Sequence, residues 1–180
     1  MTNRYDNAEL GFSITKPEDW AFLPTRWALS LRKRSDPDND ELQRILELAS
    51  VPFVYFHFDH GDTRYAIPTV QAACRGLISP ELLDRSAILG ASTSQLARLF
   101  KEFEVLEATT DVIVSGFHAN RIVSEFRLPR KGGPDLYCRS TSYAIFVRRL
   151  GFTVGISGPA EGPYQEVETL RGVERSIVVT

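Results

Sequence analysis

The first part of the chain alternates. Leu10, Phe12 and Ile14 fall on one side of 10–15 with polar or small residues between them, which predicts a half-buried strand. Lys16-Pro17 ends it, because proline has no amide to donate to a ladder. Glu18 to Phe22 reads as a turn carrying two large aromatics, with Trp20 placed to cover the sheet end. Trp27 to Arg32 alternates again. Ser35 to Asp40 reads as a loop and helix entrance with Asp38 or Asn39 as the cap, and Leu42, Ile45, Leu46 and Ala49 then share one helical face. Phe53 to Phe58 is aromatic-rich and strand-like, Asp59 to Asp62 is a turn, and Tyr65 to Cys74 is the expected partner strand of a hairpin. Pro68 inside that strand predicts an edge or a bulge.

Ser79-Pro80-Glu81 reads as a helix start, with Leu82, Leu83, Ile88 and Leu89 behind it. Gly90 and Ser92-Thr93-Ser94 predict a break, and a second helix carries Leu96, Leu99, Phe100 and Phe103. Four strands follow: 105–114, a turn at Ser115-Gly116, then 118–128, 136–150 and 151–157, with the last turn expected near Gly151. Gly158 to Pro163 reads as a linker. Tyr164, Val167, Leu170, Val173 and Ile177 form the apolar stripe of a terminal helix. Sequential hairpins with helices set apart predict an α+β fold with a mostly antiparallel sheet flanked by helices. The absence of an internal repeat, a low-complexity tract or a domain-boundary linker predicts one domain over 1–180.

The segment Tyr5 to Trp20, with Asn7, Gly11-Phe12-Ser13-Ile14 and Pro17 at its landmarks, then a long meander, a proline-containing loop, a helix and Arg175-Ser-Ile-Val178, resembles the PsbP-like superfamily. That group contains the photosystem PsbP proteins, a Ran-binding nuclear-transport protein, bacterial DcrB-like proteins and the Eag chaperones of type VI secretion. The resemblance implies an α/β/α sandwich and a role in binding or chaperoning other proteins. No universal catalytic motif comes with it, so it assigns no site residue.

Composition narrows the choice further. The chain of 180 residues is 43% hydrophobic and 24% charged, an ordinary globular balance with enough length to bury a core without disulfides. The net charge of −2 argues against a dedicated nucleic-acid binder. No apolar run approaches a membrane span, and no leader-like apolar stretch follows Arg4, so the expected location is the cytoplasm. Of the 21 basic residues 17 are arginines, which suit protein interfaces better than lysines do. They gather in Arg32-Lys33-Arg34, in Arg127 with Arg130-Lys131, and in Arg148-Arg149. On one face these would form a patch for an anionic partner; as separate strand ends they are only solvated surface. Arg32, Arg34, Arg130, Arg148 and Arg149 are the partner-binding candidates.

Catalytic, cofactor and metal signatures are weak. His57-Phe-Asp-His-Gly-Asp62 holds metal-ligating residue types, but on a continuing strand His57 and Asp59 share one face while His60 points to the other. A polar hairpin turn explains the segment equally well. Ser157, in Gly155-Ile-Ser-Gly158, lacks the spacing of a nucleophile elbow, and His118 has no evident catalytic partner. No phosphate-cradling glycine motif is present. Cys74 and Cys138 read as strand thiols, whose separation the sequence leaves open. The expectation is therefore a non-enzymatic, cofactor-free protein-binding or chaperone-like module, with a secreted effector as one specific partner and a homodimer as another. The alternative is a ligand-binding protein or enzyme with a pocket around His57, Tyr55 and Tyr65.

Overall fold

The computed structural model describes residues 3–24, 52–77, 84–130 and 133–180. The expected strand at 27–32, the helix at 42–49, the helix start at 79–83 and the candidates Arg32 and Arg34 lie outside the described residues.

Short alternating segments at the two chain ends build a small sheet. β1 (Arg4–Asn7), β2 (Phe12–Thr15) and β10 (Val178–Val179) are antiparallel, with β2 central. The large sheet has seven strands: β3 (Ala21–Phe22), β4 (Val54–His57), β5 (Thr69–Gly76), β6 (Lys101–Val114), β7 (Phe117–Leu128), β8 (Leu136–Val147) and β9 (Leu150–Pro159). Its order is β3-β4-β5-β9-β8-β7-β6, and every pairing is antiparallel.

Alternation sorts the sheet's residues onto two faces. Phe56, Val70, Phe152, Val154, Ile156 and Ile145 point to one face and are fully buried. The small sheet covers that face through Phe12 and Ile14, which are 1% and 0% exposed. Phe12 stacks on Phe152 at 5.5 Å and meets Phe53 edge-on at 5.0 Å. Helix α2 (Val167–Arg175) adds Val173 and Leu170 to the same core. Trp20 stacks against Phe58 and packs edge-on to Phe56, so it does close the sheet end. The other face carries smaller side chains: the row Thr69, Ser157, Ser140 and Ser124 runs across four strands, followed by Gln71, Gly155 and Ser142. Helix α1 (Arg85–Leu99) packs on this second face near β6 and β7, where the Asn120 side-chain amide donates to the Arg85 carbonyl.

Several expected boundaries move. The predicted break at Gly90 and Ser92–Ser94 is absent, and one helix runs through it. Asp84 caps that helix by accepting from the Ala87 amide, and the Thr93 hydroxyl donates back to Leu89 inside it. A helical glycine costs only about 1 kcal/mol relative to alanine, which a 15-residue helix tolerates. The last meander turn is Arg148-Arg149 rather than Gly151; Arg148 takes φ 53°, and the Arg149 carbonyl accepts from Leu77. β6 starts at Lys101, earlier than expected, and is an irregular edge strand with three register shifts. Glu102, Glu104, Glu107 and Asp111 lie along it, which keeps its open ladder from pairing with other chains. Residues 65–68 are not strand: β5 begins only after Pro68.

Phe12 is the keystone between the two sheets. Phe12→Ala is expected to lower folding stability by about 3–5 kcal/mol, measured by urea denaturation, whereas Leu106→Ala on the exposed edge should change it little.

Candidate functional site

Where β5 would have begun, residues 59–67 instead curl over the small-residue face at one end of the sheet. Local side-chain bonds shape this loop. Asp59 accepts from the Gly61 amide. Asp62 accepts from the Arg64 amide and grips the Arg64 guanidinium at 2.7–3.2 Å. That grip holds the Asp62 carboxyl down at about 2.

His60 organises the rest. The Asp62 amide lies 3.1 Å from Nδ1, and an amide N–H can only donate, so Nδ1 accepts. The proton of the neutral ring then sits on Nε2, 3.2 Å from the Ala66 carbonyl oxygen, to which it donates. The ring also stacks on Tyr164 at 3.9 Å and 8°, and Tyr65 packs edge-on to the same tyrosine. This clamps the loop to the segment following β9. Gly162 permits the approach: at φ 89° it has no Cβ, and one there would collide with the Tyr65 ring.

Beneath the loop lies a cavity of about 540 Å³. Its apolar wall comes from Ala66 and Ile67 of the loop, Phe126 and Leu128 of β7, and Leu136 and Cys138 of β8. Phe126, Cys138 and Ala66 form a second small apolar cluster, with Phe100 stacked on Phe126 at 4.1 Å. Thr69 and Ser157, whose hydroxyls are 2.8 Å apart, make the polar part of the floor. Arg130 stands at the rim and donates to the Thr63 carbonyl.

Burial pushes the Cys138 thiol up to about 12, so it remains protonated and un-nucleophilic at neutral pH. Ser157 is hydrogen-bonded to Thr69, not to a histidine. His57 sits across β5 from it, roughly 10 Å away at two strand spacings. Burial lowers the His57 pKa, against a smaller opposing pull from Asp59, and raises that of Tyr55. Neither His57 nor Tyr55 lines the cavity; of the three residues expected around a pocket, only Tyr65 does. His60 and Asp62 are committed to the loop's own bonds. Among the described residues no three metal-ligating groups converge.

Among the described residues the basic candidates do not gather. Arg130 lies at the cavity end of β8, while Arg148 and Arg149 lie at the far end of that 12-residue strand, about 40 Å away. Arg127 is paired with Glu102 and lies over the Tyr137 ring. Cys74 and Cys138 face opposite sides of the sheet with β9 between their strands, so they cannot bridge. A smaller cleft of about 210 Å³ lies on the opposite face beside α2, but its arginines are already matched: Arg121 to Glu107, Arg139 to Glu125 and Arg171 to Glu168.

This arrangement of sheet, helices and covered faces recurs in solved structures. Cyanobacterial PsbP (CyanoP) from Synechocystis sp. PCC 6803 superposes with a TM-score of 0.59 at 11% identity, over 98% of this chain and 91% of that one. The fold is PsbP-like. LpqN, described as involved in cell envelope biogenesis of Mycobacterium tuberculosis, superposes with a TM-score of 0.53 at 14% identity, over 94% of this chain and 83% of that one. No family model and no curated protein matches the chain. The α+β class and the PsbP-like sandwich expected from the sequence are thus those observed. No helix among the described residues is long and apolar enough to cross a membrane.

If His60 holds the loop through its two backbone bonds, His60→Phe should keep the stacking and lose the bonds. The Asp62 amide is then expected to exchange with solvent about five- to tenfold faster, as loss of one hydrogen bond predicts. Unchanged exchange at Asp62 would remove His60 from this role.

Proposed function

We propose that the chain is a non-enzymatic binding module that seats an apolar part of a partner protein in the cavity beneath the 59–67 loop. The observation that carries this reading is the composition and size of the cavity. It is an open recess of about 540 Å³ whose wall is built from six apolar side chains, within the roughly 300–1,000 Å³ of ligand pockets. Most waters in it would face groups offering no hydrogen bond. Their release on filling is the driving force. Binding hot spots work this way, with a large side chain from one protein filling a desolvated pocket on the other.

The chemistry at the site favours binding over catalysis. Its thiol is protonated, its serine is engaged with a threonine, and its histidine is held between two backbone groups. A secreted effector is one partner of the required kind, since an apolar segment awaiting export needs cover, and a cytoplasmic location would accompany it.

The probe is N-acetyl-Leu-Phe-amide, which offers two apolar side chains and no charge. Calorimetry is expected to show saturable one-to-one binding. Ile67→Trp, placed at a position that is 42% exposed and therefore compatible with folding, narrows the mouth and should weaken binding about tenfold. Absence of saturable binding, or equal binding by a folded Ile67→Trp variant, would count against the site.

A further inference from the structure

The rim of the cavity bears on what the bound segment carries. Three side chains with formal charge line it: Asp59, Asp62 and Arg130. Asp62 is satisfied by its two-point grip on Arg64, and Asp59 accepts from Gly61. Arg130 differs. A guanidinium has five N–H donors, and among the described residues Arg130 spends donors only on the Thr63 carbonyl. No carboxylate among the described residues pairs with it. The guanidinium also lies over Gly133, at the start of the next segment. The bond to Thr63 ties it to the same loop that roofs the cavity. A fork of donors therefore stands at the rim of an apolar recess.

We infer that the cavity takes an apolar residue with a carboxylate immediately beside it, and that this residue is the C-terminal residue of a partner chain, whose terminal carboxylate meets Arg130. This inference rests on the binding-module reading above. Among protein segments, a C-terminal apolar residue joins the two chemistries within the shortest span: its side chain enters the recess while the α-carboxylate stays at the rim. The planar fork suits a carboxylate's two oxygens, which a single neutral carbonyl cannot match. The protonated thiol of Cys138 and the mutually bonded hydroxyls of Thr69 and Ser157 place no second charge inside the recess. The charged recognition therefore falls to the rim.

The test compares two probes differing only at that end, N-acetyl-Leu-Phe with a free carboxylate and its amide, on the whole chain and on Arg130→Gln. The acid is expected to bind the parent about tenfold tighter than the amide, as one charge-assisted hydrogen-bond pair predicts. Arg130→Gln should bring acid and amide to the same affinity, whatever it does to the affinity of both, with a cooperative unfolding transition showing that the chain is folded. The preference should also shrink as salt is raised. Equal binding of acid and amide by the parent would overturn the inference while leaving the binding-module reading in place. Retention of the preference in Arg130→Gln would overturn the assignment to Arg130. Failure of both probes to bind would remove the site itself, and the inference with it.

Discussion

The structure depends on the two-sidedness of one strand. β9 lies at the centre of the large sheet, and its residues alternate between bulk and near-absence of bulk. Phe152, Val154 and Ile156 fill one side and are almost fully buried; Gly151, Thr153, Gly155 and Ser157 occupy the other. The bulky side recruits Phe12 and Ile14 and so brings the two chain ends together as a second sheet. The lean side presents little that a covering element can grip. Packing on the two faces is therefore unequal by construction, with the main core on one and a smaller apolar cluster on the other.

That inequality positions the cavity. At the end of the sheet where β9 reaches Ser157 and Gly158, the floor is made of small residues, and the walls come from Phe126, Leu128, Leu136 and Cys138 on the neighbouring strands. The 59–67 loop roofs this recess without filling it. It is held by the His60 stack on Tyr164, by its own backbone bonds and by Ala66 packed with Phe126 and Cys138, and it leaves the rest of the recess open. A roof fixed independently of its contents can remain in place while the space beneath is empty or occupied. This is the property a preformed binding site needs, because little ordering cost is left to be met when the ligand arrives.

Hydrophobic alternation makes much of the fold legible in the sequence. Phe12 and Ile14 announced β2, the four-stranded meander emerged in order, and Val173 and Leu170 marked the buried side of α2. The misread places are those where side-chain to backbone bonds or unusual dihedrals overrule hydropathy. Tyr65 and Ile67 have the spacing of a strand, yet they belong to a loop shaped by Asp59, His60 and Asp62. Arg148 turns the chain at positive φ without being a turn-forming residue type. The cavity was harder to see because its lining comes from four separated stretches, 59–69, 126–130, 136–138 and 157–158. Arg130, Cys138, Ser157, His60 and Tyr65 each stood out singly in the sequence, but only the strand register brings them around one space.

On the proposed reading the recess on the lean face, rather than the cleft beside α2, receives an apolar group. The most direct measurement is the set of intermolecular nuclear Overhauser contacts made by the aromatic protons of N-acetyl-Leu-Phe on the labelled chain. Contacts to Ala66, Leu128 and Leu136 are expected, with none to Val167 or Leu170. Contacts to Val167 and Leu170, with the recess residues silent, would contradict it.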